Sequence, residues 1–197
     1  MEKPLVFFDV DTQVDFMEPK GSLYVPRADE IRPHLKQLFD YALERKIPIL
    51  SSADAHPSDD PSFAQWPPHC VVGTPGQKRI PETWTPNAVV VPNQPGAFAV
   101  PKEWPSQIII EKQEYDASTN ANFDAIVHAL GERTYVVFGV ATEYCVRSTA
   151  LSLLKKGLPV VLVTDAIKAI DEDSGRKAIE ELAAAGARLV STSDVCQ

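Results

Sequence analysis

Short apolar runs alternate along this chain with longer stretches in which apolar residues return every three or four positions. The runs are Leu5 to Val10, Ile47 to Ser51, Ile108 to Ile110, Tyr135 to Val140, Val160 to Val163 and Ala187 to Val190. Each is too short for a helix and almost wholly apolar, the pattern of a strand covered on both faces. Between them, Ile31, Leu35, Leu38 and Ala42 recur at helical spacing. Asn122 to Leu130 places Phe123, Ile126, Val127 and Leu130 on one helical face. Ala150, Leu153 and Leu154 follow the run ending at Val140, and Ile179, Leu182 and Ala183 precede Gly186, a helix-ending glycine. This alternation predicts an α/β fold: a doubly wound, mainly parallel sheet of about six strands with helices on both faces. In such sheets ligands bind beyond the carboxyl ends of the strands.

Pro57 to Pro105 breaks the pattern. It holds 11 of the 17 prolines and no long periodic segment. A loop of that length predicts an active-site cover or a binding element. With no repeat, low-complexity tract or linker elsewhere, residues 1–197 read as one domain carrying one elaborate loop.

Charge and cysteine usage narrow the function classes. A net charge of -8 argues against nucleic acid and anionic membranes as partners, because phosphates are repelled rather than neutralised. No apolar stretch approaches the roughly 20 residues of a membrane span. Met1-Glu2-Lys3-Pro4 leads into the first apolar run without a signal-peptide cleavage pattern. Three cysteines do not make a disulfide framework, so the expected compartment is the cytoplasm.

The candidate chemistry sits at the predicted strand ends. Asp54-Ala55-His56 follows one strand, and an extended backbone points Asp54 and His56 the same way. Trp66-Pro67-Pro68-His69 supplies a second imidazole from the proline-rich loop. A carboxylate with two imidazoles is a common donor set for zinc or another divalent transition ion. The remaining histidines, His34 and His128, fall in helical patterns and read as surface or packing residues. If the sheet forms as predicted, Asp11, Asp54, Lys112 and Cys145 meet at one edge. Thr142 reads as a helix N-cap that puts Cys145 in the first turn, where the helix end and a Lys112 ammonium favour thiolate. Asp11 is then placed to exchange a proton with the thiol, although spacing does not separate it from Asp9 or Asp15. Cys70 and Cys196 read as inert.

The stretches Asp11-Thr12-Gln13-Val14-Asp15-Phe16, Asp54-Ala55-His56-Pro57, Ser62-Phe63, Trp66-Pro67-Pro68-His69-Cys70 and Thr74-Pro75-Gly76 together carry a resemblance. So do Glu111-Lys112, Gly139-Val140-Ala141-Thr142-Glu143-Tyr144-Cys145-Val146 and Thr164-Asp165-Ala166. Over nearly its whole length the chain resembles the nicotinamidases (pyrazinamidases) of the isochorismatase-like cysteine hydrolases. The resemblance implies a triad of Asp11, Lys112 and Cys145, with backbone N–H groups of Ala141 and Cys145 as the oxyanion hole. It implies Asp54, His56 and His69 as ligands of one divalent ion, zinc before manganese or iron. It implies a cis peptide between Val140 and Ala141, and Phe16, Trp66 and Tyr144 as walls of a small-ring pocket. The implied reaction is hydrolysis of nicotinamide, and of pyrazinamide, through a thioester. A small amide is thus the expected partner, with homo-oligomerisation left open. Two departures bear on the substrate. Gln113 to Ser118 lacks the longer Asp-Ser-Tyr-Ser-Ala-Phe-like element of many such enzymes, and Ala55 stands where an aromatic residue is common. The alternatives are an amidohydrolase for another small amide or carbamoyl compound and, from a different class, a non-catalytic ligand-binding protein.

Overall fold

Seven parallel strands form one sheet in the order β3-β4-β2-β1-β5-β6-β7 in the computed structural model, which describes residues 3–197. The strands are β1 Leu5–Val10, β2 Ile49–Asp54, β3 Ala88–Val91, β4 Gln107–Lys112, β5 Thr134–Val140, β6 Val160–Lys168 and β7 Arg188–Val190. Six of them match the apolar runs. The seventh, β3, lies inside the proline-rich segment, which is therefore not structureless: it returns to the sheet and pairs with β4 through Val89↔Ile108 and Val90↔Ile109. The strand order reverses between β1 and β5, and the crevice above that point is where a ligand site is expected.

Helices surround the sheet: α1 Val14–Met17, α2 Arg32–Glu44, α3 Phe123–Leu130, α4 Arg147–Lys155, α5 Glu172–Ala184 and α6 Thr192–Val195. Adjacent β1 residues show why both faces are apolar. Phe7 stacks on Tyr41 of α2 at 6.3 Å between ring centroids, whereas Phe8 stacks on Phe123 of α3 at 6.4 Å. Successive strand side chains point to opposite faces, so an unbroken apolar run serves two helical layers. Leu35, Leu38, Phe39 and Ala42 form the buried stripe of α2. Asp171 starts α5 by accepting the Ser174 N–H, and Gly186, at φ +106°, follows its end as expected. Among the described residues no helix is long and apolar enough to cross a membrane.

One glycine is dictated by this packing. Gly139 has φ +115°, and a Cβ there would lie 2.1 Å from the Val10 carbonyl oxygen. Only glycine lets β5 approach β1 at the register Val10↔Gly139, which brings the chain after β5 alongside the chain after β1.

Candidate active site

Four strand ends deliver the candidate residues to one buried cluster. Asp11 follows β1 directly in a left-handed backbone conformation, φ +49°, sparsely populated by non-glycine residues and typical of functional sites. Asp54 ends β2 and Lys112 ends β4, and the two are register partners. Cys145 lies in a π-helical turn, Thr142–Val146, that runs from β5 into α4. Lys112 is fully buried and forms the hub. Its Nζ stands 2.8 Å from Asp11 Oδ2 and 3.6 Å from Cys145 Sγ, and it donates to Asp54 Oδ1. Asp11 Oδ1 accepts from Ser52 Oγ at 2.7 Å, which leaves Oδ2 as the oxygen facing the ammonium and the thiol.

The helix start differs from the expected one. Ala141, extended at φ -88° and ψ 147°, is the N-cap, Thr142 is the first helical residue, and no side chain caps the turn. The π turn places Cys145 on the slot wall, a use of this geometry common at functional sites. The bond between Val140 and Ala141 is cis, as the resemblance implies.

Burial opposes the thiolate that Lys112 favours. Desolvation pushes Cys145 well up, with Asp11 and Asp54 adding to it, and Lys112 only partly offsets them. Burial lowers the Lys112 ammonium, but Asp11 and Asp54 outweigh it and hold the charge. Burial raises Asp54, yet Lys112 and the two imidazoles keep its carboxyl far below the carboxylate range. Asp11 is shifted up, by burial and then by Asp54. A thiolate here would add a third anion opposite one ammonium. Burial and the two carboxylates therefore favour the protonated sulfur, with a proton acceptor beside it.

The competing aspartates have structural partners instead. Asp9 accepts from Thr12 Oγ1 at 3.0 Å and Ser51 Oγ at 3.2 Å, and pairs with Arg79. Asp15 accepts the Ser22 N–H at 3.0 Å and the Cys70 N–H at 2.7 Å, which fixes the residue after His69. Arg79, buried in the proline-rich segment, donates to the Ser52 carbonyl at 2.9 Å and the Thr83 carbonyl at 3.1 Å. Sequence reasoning missed it. Desolvation pulls its guanidinium down to about 9. Cys70 is buried, Cys196 half-buried, and neither reaches the thiol cluster.

Asp54, His56 and His69 also converge. Asp54 Oδ2 lies 3.6 Å from His56 Nε2 and 3.7 Å from His69 Nε2. His69 returns because its segment runs beside β2's end: His56 N–H donates to the Cys70 carbonyl, and Val72 N–H to the His56 carbonyl. His69 Nδ1 donates to the Pro67 carbonyl at 2.8 Å, which turns Nε2 inward. His56 Nδ1 lies 2.9 Å from Asp60 Oδ2, and Ser62 N–H holds Asp60 in place. Burial lowers the His56 imidazole, while Asp54 and Asp60 more than reverse it. Asp60 was also missed, although a carboxylate four residues after a candidate ligand is a readable signal. Gln13 locks Asp54 through both backbone groups, accepting its N–H at 2.7 Å and donating to its carbonyl at 2.8 Å.

Phe16, Trp66 and Tyr144 line a narrow slot that reaches Cys145, Ala141, Asp54 and His69. Tyr115, from the stretch that departs from the resembled pattern, lines it too, and accepts a hydrogen bond from Trp66 Nε1 at 2.9 Å. His34 is half exposed and His128 exposed, both remote from the slot.

A buried thiol, ammonium and carboxylate meet at the parallel sheet's switch point, beside an aspartate and two histidines able to hold a metal ion, in the fold of the isochorismatase-like hydrolases. The chain belongs to the isochorismatase family: the Isochorismatase domain matches residues 5–194. It is 32% identical over 212 residues to the nicotinamidase of Escherichia coli, covering 97% of this chain and 96% of that one. It is 30% identical over 191 residues to the nicotinamidase/pyrazinamidase of Mycobacterium tuberculosis, with 93% and 97% covered. The structure of the pyrazinamidase of Pyrococcus horikoshii, solved in complex with zinc, superposes with a TM-score of 0.79 at 31% identity, covering 95% of this chain and 98% of that one.

Proposed function

We propose that this chain hydrolyses nicotinamide to nicotinate and ammonia, and pyrazinamide likewise, with Cys145 as nucleophile. The observation that carries the reading is one aromatic slot bounded by Cys145 and also by Asp54 and His69. Asp11 Oδ2 takes the thiol proton as sulfur attacks the carboxamide carbon. Backbone N–H groups of Ala141 and Cys145 stabilise the oxyanion, and Lys112 stays charged and balances Asp11 and Asp54. Asp11 then protonates the departing ammonia, leaving a thioester. Water hydrolyses the thioester with Asp11 as base, and the thiol is restored. Phe16, Trp66 and Tyr144 hold the ring, joined by Tyr115.

The donor set fits a divalent first-row ion: two imidazoles with fixed Nδ1 partners and one carboxylate oxygen, all inward and buried. Asp54, His56 and His69 would hold it, zinc before manganese or iron. When bound, such an ion supplies a Lewis-acid contact for a ring nitrogen and for ordered water. One equivalent of metal per chain is expected by elemental analysis. Asp60→Ala frees His56 Nδ1 and weakens retention against a chelator about 10- to 100-fold. Unchanged retention would mean that Asp60 does not orient His56. The reading keeps the cytoplasmic location inferred from the sparse cysteines.

Substrate choice tests the activity. Nicotinamide and pyrazinamide are turned over, and benzamide, lacking the ring nitrogen, is worse by at least about 100-fold in kcat/KM, because a polar site is left unpaired. Ammonia release measures all three. Equal turnover of benzamide, or activity on carbamoyl amines but not nicotinamide, moves the assignment to another small amide.

A further inference from the structure

Glu143 stands two residues before Cys145, and the chemistry above does not use it. Its Oε1 accepts the N–H of Ile170 at 2.9 Å and of Asp171 at 2.8 Å. Its Oε2 is buried without a partner. Both amides belong to the connection between β6 and α5, and Asp171 is the residue that caps α5. Ile170 lines the slot together with Ala141 and Cys145. Ile170 also lines a second cavity, of about 330 Å³, with Pro26, Thr142, Ile167 and Ile179. Ile170 thus borders two open spaces while packing against the core. That packing is only partial, so hydrogen bonds to its backbone add to what fixes it beside the slot. The side chain that accepts from both amides belongs to the turn that carries Cys145.

We propose that Glu143 is a positioning residue that sets the width of the slot by tying Ile170 to the cysteine turn. It governs how tightly a small aromatic ring is held and leaves the reactivity of Cys145 alone. Without the carboxylate, two N–H groups lose their acceptor and Ile170 relaxes toward the second cavity. The kinetic part rests on the nicotinamidase reading, and the labelling part does not.

Glu143→Ala should raise KM for nicotinamide about tenfold while kcat stays within about threefold. Glu143→Gln keeps a carbonyl acceptor for both N–H groups and should restore KM. Labelling of Cys145, followed by peptide mass, compares iodoacetamide with the bulkier N-phenylmaleimide. Glu143→Ala should leave the iodoacetamide rate unchanged and raise the ratio of aromatic to small reagent about tenfold, again reversed by glutamine. If wild-type protein does not hydrolyse nicotinamide, the functional reading fails while the reagent ratio still tests the clamp. An unchanged ratio, equal losses with both reagents, or no rescue by glutamine overturns the proposal.

Discussion

Replacing Cys145 with alanine abolishes amide hydrolysis and leaves the fold in place. Cys145 is 6% exposed, its sulfur faces Lys112 and Asp11, and the side chain otherwise borders the slot. Alanine suits the helix start and removes a single sulfur from a position already next to open space. The nucleophile, by contrast, has no substitute nearby, since Cys70 and Cys196 lie outside the cluster. The expected loss in kcat/KM is at least about four orders of magnitude, with the thermal midpoint nearly unchanged. Cys145→Ala turning over nicotinamide near the wild-type rate would rule out a thioester route.

The second large effect is Lys112→Met, which harms stability as well as turnover. Methionine matches the stem of the side chain but leaves Asp11 and Asp54 buried without their counter-charge. Breaking a buried pair this way costs about 3–5 kcal/mol. The sign of the pH dependence follows from linkage. With Lys112 gone, the folded chain raises its carboxyl pKa values above those of the unfolded chain, so folding takes up protons. The variant is then least destabilised below the unfolded carboxyl range and loses stability as pH rises through the folded values. Melting chelated wild-type and variant protein at about pH 5 and about pH 8 should show the gap widening at the higher value. A gap independent of pH would mean that Lys112 does not balance these carboxylates.

What the chain discloses before folding depends on what burial demands of each residue. β1 and β5 are legible because strands covered on both faces require unbroken apolar side chains. β3 is masked: Ala88–Val91 is an apolar run as clear as Ile108 to Ile110, but it is a half-exposed edge strand set between Pro86 and Pro92 in a segment whose prolines suggest a loop. The extension of β6 to Lys168 is hidden by Thr164 and Asp165. Asp54, His56 and His69 can be read because ligand chemistry narrows the residue types. Asp60 acts only through another side chain, and its spacing of four from His56 is the one mark that sets it apart from other loop carboxylates. Arg79 looks solvent-facing in a proline-rich stretch, yet Asp9, Thr12, Ser52 and Thr83 supply enough acceptors to bury it. The thiol's protonation state is the clearest case. Spacing reveals a lysine and a helix start, but only three-dimensional burial shows two carboxylates competing for the same ammonium.

The anchoring of Arg79 divides the covering segment into parts with different freedom to change length. Between Arg79 and Thr83 the backbone is stitched to β1 and β2, and from Ser52 a hydrogen bond continues to Asp11. An added residue there would shift the guanidinium off its acceptors and carry the disturbance to the proton acceptor. Between Gln94 and Ala97 the chain is exposed, and a Cβ on Gly96 would meet open space. Insertions and deletions among related chains should therefore collect at that tip and spare the anchored stretch, so this cover can be remodelled without disturbing the groups that move protons beneath it.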